Sequence, residues 1–292
     1  MLKKSVYLLL LGILIVLVAC DDNVNDDDEV ADEEANTEET STDQTEKEDE
    51  VEVEPPVTEE KDDNRTEDEE NKEEETVQEI TEPLYQIDDN WNVVPLEEGT
   101  NENVVLLTID DAPDENALEM AQTLNQFDVP AIFFVNGHFL QSDEKKEVLK
   151  QIHDMGFAVG NHTYNHTRLS DVDEDTQKQE ILELNELIEE IIGEKPKFFR
   201  APNGVNTDYA IQLVEEEGML LMNWTYGYDW EADYQNKEAL ADIMVNTELL
   251  SNGANLLMHD REWTADALED IVKGLRDKGY EFADPMTLQV PE

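Results

Sequence analysis

From Leu84 onward, short unbroken apolar runs alternate with stretches whose apolar residues recur at helical spacing, and this alternation constrains the fold more than any other feature. The run 104–109 has almost no polar member and ends at Asp110 and Asp111. A strand without a polar face suits a position covered on both sides, as in a parallel sheet. The stretch 115–127 follows, with Leu118, Ala121, Leu124 and Phe127 near one helical face. The couple then recurs. Strands are predicted at 131–135, 157–159, 197–199, 219–223, 254–258 and 280–283, and helices at 143–155, 173–192, 207–217, 237–250 and 263–278. About seven alternations predict an α/β domain with a parallel sheet, either open and doubly wound or closed into a barrel. No glycine-rich phosphate fingerprint follows any strand, which argues against a nucleotide site.

Charge divides the chain into three parts. The net charge is −56, from 19 basic and 75 acidic side chains. That balance excludes a nucleic-acid binder held by clustered Lys and Arg, and docking by charge on an anionic membrane. Residues 1–20 carry only Lys3 and Lys4, then an apolar run from about Val6 to Val18 that is too short to span a bilayer. This reads as a secretory signal. The single cysteine, Cys20, follows Leu17, Val18 and Ala19, which resembles a bacterial lipobox with a lipidated cysteine. One cysteine also excludes an internal disulfide framework and a multi-cysteine zinc site. Residues 21–82 hold 31 acidic and 4 basic side chains and few apolar ones, so they are expected to be a disordered linker. As a flexible coil this linker would average roughly 45 Å end to end, more with self-repulsion. It serves equally well as a spacer or as a solubilising tail. Residues 83–292, at −31, contain all four tryptophans and are the one part able to bury a core.

Active sites of such folds sit at the carboxyl ends of the strands, which directs attention to the polar residues there. His162 and His166 are four apart, so on a helical turn both imidazoles face one side and can share a cation. Of two adjacent carboxylates, Asp110 and Asp111, one can hold a metal while its neighbour handles a proton. Singly, each feature is ordinary: a histidine pair on a surface, an acidic loop, an arginine near a carboxylate. Their placement after five successive strands sets them apart. His138 and His153 read as structural or surface residues. Trp91, Trp224 and Trp263 read as core or cleft walls.

Taken in order, Thr108 to Asp111, His162 to His166, Arg200 to Gly204, Asp229 with Trp230, and Leu257 to His259 resemble the five motifs of the polysaccharide deacetylase family. This is the NodB-homology domain of carbohydrate esterase family four. The resemblance implies a distorted (β/α) barrel and a metal-dependent N-deacetylase acting on N-acetylated sugars. It assigns Asp111, His162 and His166 to a divalent metal, zinc first, and Asp110 to the general base, held by Arg200. It assigns His259 to the general acid, oriented by Asp229, and the backbone N–H of Asn203 to the oxyanion. Trp230 and Leu257 would wall a slot for the acetyl methyl. The chain departs from the commonest pattern at Ala112, Asn203 and Tyr226, where Gly, Tyr and Asp are more usual.

These features together lead to an expected extracytoplasmic lipoprotein, monomeric and anchored through Cys20, that deacetylates N-acetylglucosamine in peptidoglycan. A glycan-binding lipoprotein that has lost catalysis, and an O-deacetylase of another polysaccharide, stay open as alternatives. The excess acid of 83–292 has no catalytic explanation and suits a salt-rich or alkaline habitat.

Overall fold

A computed structural model describes residues 82–291. The expected signal segment, Cys20 and nearly all of the acidic linker lie outside the described residues. Among the described residues no helix is long and apolar enough to cross a membrane.

The chain begins with a small antiparallel hairpin, β1 (Tyr85–Ile87) and β2 (Val93–Pro95). The central strand β3 (Val104–Ala112) comes next, followed by α1 (Ala117–Gln126), β4 (Ala131–Val135), α2 (Asp143–Asp154), β5 (Ala158–Asn161) and α3 (Glu174–Ile192). The second half runs β6 (Phe198–Phe199), α4 (Asp208–Glu216), β7 (Leu220–Leu221), α5 (Lys237–Asn246), β8 (Ala254–His259), α6 (Glu262–Asp277) and β9 (Glu281–Phe282). Seven strands form one parallel sheet in the order β7-β6-β5-β4-β3-β8, with β9 paired to the start of β3. The chain leaving β7 crosses to the far edge. Thr225 N–H donates to the Asn255 carbonyl, and Leu257 N–H to that of Tyr226. The sheet is thereby curled into a distorted (β/α) barrel.

The period-two alternation of strands explains both the core and the place of the site. In β3, Val105, Leu107 and Ile109 face the helices, where they pack with Met120, Leu124, Phe133, Leu268 and Ile271. The alternate residues face the barrel interior. Val104 and Leu106 join Ile132, Phe134 and Phe198 there, while Thr108 and Asp110, further along, are buried and polar. One strand thus supplies an apolar floor and a polar top. Gly160 is needed beside this floor, because a Cβ there would lie 2.5 Å from the Phe134 ring.

Several element ends differ from the sequence expectation for identifiable reasons. Helix α1 starts at Ala117, two residues late, because the N–H groups of Asp114 and Asn116 both donate to the buried Asp260 carboxylate at 2.6 Å. Helix α5 stops at Asn246 rather than running to 250. Thr247 turns extended there, and its hydroxyl bonds Tyr228 Oη at 2.7 Å and accepts from Leu249 N–H. The hairpin β1–β2 had no sequence signal, since three-residue strands are too short to reveal a period. It closes the barrel floor, where Tyr85 and Val93 pack with Val104 and Leu288.

Candidate active site

Strand β3 ends with a change of backbone direction at Asp111, whose φ is 60°. Asp110, still on the strand, points inward; Asp111 turns out towards a loop that runs from 162 to 166. That loop is not helical, contrary to the spacing argument. It is wound instead by left-handed residues at Thr163 (φ 66°) and His166 (φ 55°). The buried Glu180 of α3 accepts from the Asn165 N–H at 2.7 Å and from its side-chain amide at 2.8 Å, and this pins the turn. The two imidazoles end with their centroids 5.0 Å apart.

One donor atom each from Asp111, His162 and His166 lies within 4.8 Å of the other two. His162 Nδ1 donates to the Arg200 carbonyl at 2.7 Å, which fixes the tautomer and leaves the Nε2 lone pair facing Asp111. Burial holds the His162 imidazole below its usual pKa, the neutral form a metal ligand needs. For Asp111, burial alone would raise the pKa. His162, His259, His166 and Arg261 together outweigh it and keep the carboxylate below its usual range. One carboxylate and two neutral imidazoles suit a divalent ion with a preference for N and O donors.

Beside this trio, Asp110 Oδ1 accepts from Arg200 Nη1 at 2.6 Å. Arg200 is fully buried; it also donates to Thr108 Oγ1 and to the Asn223 carbonyl, both at 2.8 Å, and stacks 4.3 Å over Phe134. Its guanidinium therefore has almost no freedom. Asp110 Oδ2, the other oxygen, lies 3.5 Å from His162 Nε2.

On the opposite side, His259 Nδ1 pairs with Asp229 Oδ1 at 2.7 Å, and the His259 N–H donates to Oδ2 at 2.6 Å. Thr264 Oγ1 donates to the same carboxylate, and Trp263 Nε1 to the Asp229 carbonyl, each at 2.8 Å. Burial lowers the His259 pKa, but the bond to Asp229 and its charge prevail, with Asp110 and Asp111 adding, so the net shift is upward. Between the two sides lies a cleft of about 530 Å³, bordered also by Asn203, Trp230 and Leu257. Asn203 sits in a left-handed conformation in the turn Pro202–Gly204. His138 and His153 are not among the lining residues, and neither is Trp91.

The model of the polysaccharide deacetylase family matches residues 97–222. A peptidoglycan-N-acetylglucosamine deacetylase of Bacillus cereus is 31% identical over 194 residues, which cover 63% of this chain and 70% of that protein. The chain belongs to the polysaccharide deacetylase family. Among solved structures, the peptidoglycan deacetylase PdaC from Bacillus subtilis is similar at a TM-score of 0.57 and 29% identity, over 63% of this chain and 89% of that one. A CE4 family pseudoenzyme from Bacillus anthracis is similar at a TM-score of 0.58 and 27% identity, over 63% and 64%. The chain spans 66% and 49% of the length of two further curated relatives.

The deacetylase motifs leave some neighbours of the site unnamed. Arg261 Nη2 donates to Asp111 Oδ2 at 2.7 Å, and Asp260 orders the loop after β3. Both follow His259 directly, so an extended reading of that motif would have reached them. Glu180 carries no such signal, because its role depends on where α3 packs.

Proposed function

We propose that the chain is a metal-dependent N-deacetylase that removes acetyl groups from N-acetylglucosamine residues of an extracytoplasmic glycan, peptidoglycan first. The observation that carries this reading is one cleft bordered by an Asp–His–His donor set, a carboxylate gripped by a buried guanidinium, and a carboxylate-backed imidazole. Amides are poor electrophiles and amines poor leaving groups, so all three kinds of help are needed. Asp111, His162 and His166 would hold the divalent ion, zinc first, which supplies Lewis acidity towards the acetamide carbonyl. Asp110 takes a proton from the attacking water, and Arg200 keeps its carboxylate aimed through a charge-assisted bond. The Asn203 N–H donates to the oxygen that gains charge as water adds to the carbonyl carbon. When the C–N bond breaks, His259 gives its proton to the departing amine, leaving acetate and a free amino sugar. Asp229 holds His259 in the orientation and charge state for that transfer. Trp230 and Leu257 wall the slot for the acetyl methyl.

The B. cereus relative is named for peptidoglycan N-acetylglucosamine, which supports the substrate. The signal-like segment that ends at the lipobox-like Cys20, and the acidic stretch 21–82 after it, support a location between membrane and wall. Similarity to a pseudoenzyme favours a second reading, a glycan-binding module without turnover; here, however, each group the chemistry uses is present. Acetate release from peptidoglycan and from N-acetylglucosamine oligomers is expected with zinc and absent with chelator. Glycan binding without acetate release, with metal shown to be bound, would leave the second reading in its place. Faster release from ester than from amide substrates would move the assignment to an O-deacetylase.

A further inference from the structure

We propose that Arg261 is a positioning residue that confines Asp111 to a single ligand oxygen and so keeps a coordination position open for the reaction; the inference rests on the metal reading of Asp111, His162 and His166. The two neighbouring carboxylates are held in matching ways. Asp110 Oδ1 accepts from Arg200 Nη1 at 2.6 Å, and its Oδ2 lies 3.5 Å from His162 Nε2. Asp111 Oδ2 accepts from Arg261 Nη2 at 2.7 Å, and its Oδ1 lies 3.8 Å from His162 Nε2 and 3.4 Å from His166 Nε2. Each arginine thus occupies one oxygen and leaves the other facing the histidines. Of the two arginines, the family motifs name only Arg200. Arg261 is its counterpart on the metal side.

The fold places Arg261 firmly enough for this task. It lies just past the end of β8 and donates from Nη1 to the Asp260 carbonyl at 2.9 Å, with Asp114 Oδ2 3.8 Å away. Asp260 in turn is tied to the end of β3. Its N–H donates to the Asp110 carbonyl at 3.0 Å, and its carboxylate accepts from the Asp114 and Asn116 N–H groups. A carboxylate can serve a cation with one oxygen or with both. Three protein donor atoms leave a position for water and substrate, and a fourth protein oxygen would compete for it. A charge-assisted bond from a guanidinium withholds that oxygen. The same positive charge repels a divalent ion, so Arg261 weakens metal binding while it keeps the position open. Plain support of Asp111 would have the opposite sign, with metal lost when the arginine is removed.

The test compares the full chain with Arg261→Met, which keeps the apolar stem, and Arg261→Lys, which keeps the charge and a donor. Zinc affinity is read by competition with a chromogenic chelator, and kcat by acetate release from N-acetylglucosamine oligomers. Ligand number is read from the visible absorption of the cobalt(II)-loaded chain. Arg261→Met should bind zinc about tenfold more tightly and lower kcat by about 10- to 100-fold. Its cobalt absorption should weaken, as it does when an oxygen ligand is added. Arg261→Lys should restore the zinc affinity and most of kcat. Weaker zinc binding in Arg261→Met would overturn the proposal, because it marks plain support of Asp111. So would an unchanged cobalt spectrum. Should the Met variant not fold, Arg261→Gln, which keeps a donor for the Asp260 carbonyl, is read in the same way. A wild type that binds zinc and shows these shifts on substitution, but releases no acetate, keeps the role of Arg261 and ends the deacetylase reading. Release by the wild type, with affinity and spectrum unmoved by Arg261→Met, means the reverse.

Discussion

Asp110 and Asp111 are chemically identical neighbours with different tasks, and one backbone angle separates them. The extended strand aims Asp110 at Arg200, while the left-handed φ at Asp111 turns its carboxylate to the histidines and Arg261. Replacing Asp110 by Asn should lower kcat by roughly 10²- to 10⁴-fold while metal content stays stoichiometric, as measured by acetate release and metal analysis. Unaltered acetate release would remove Asp110 from the base role. At His259 the raised pKa means the imidazolium survives to higher pH than in a free histidine, and the alkaline limb of kcat should report its loss. Asp229→Asn removes the charge that opposes burial, so that limb should move to lower pH; a limb that stays put belongs to another group. The same pairing stabilises the fold fully below the unfolded pKa of about 6.5, and that contribution is lost as pH rises through the raised folded value. The residue types of the site were legible in sequence because chemistry depends on identity. Glu180 was not, since it acts through a partner brought near by folding.

At the scale of elements, the loop 162–166 depends on a helix distant in sequence. Glu180 of α3 grips Asn165 with both oxygens beside the left-handed His166, while Asn136 and Asn161 hold the other left-handed residue, Thr163, through its carbonyl and N–H. Glu180→Ala should therefore weaken zinc binding by about 10- to 100-fold in a folded chain, read by competition with a chromogenic chelator. Unchanged affinity would mean that the bonds from Asn136 and Asn161 suffice to hold the loop. The strands were legible as apolar runs, and most helices as stripes. Their ends were less so: α1 starts where Asp260 releases it, and α5 stops where Thr247 finds Tyr228. Both events are contacts between distant elements and leave no mark on local periodicity.

Across the whole molecule, acidic side chains far outnumber the cations that could pair with them, and self-repulsion works against the folded state. Raising salt from about 0.01 M to 0.1 M shortens the screening length from roughly 30 Å to 10 Å. The melting temperature should rise by about 3 °C or more, equivalent to roughly 1 kcal/mol. A flat melting temperature would show that the acidic excess is already tolerated by spacing alone. The sequence by itself determined the α/β class, the parallel strands and the residue types at their ends, because strand burial and side-chain chemistry are encoded within a few neighbouring positions. Open sheet or barrel was undecided at that level. Closure came from 222–226 crossing to β8, and the loop of His162 and His166 was wound by α3. Such choices rest on hydrogen bonds between segments far apart in the chain, and those exist only once the sheet has curled and brought them together.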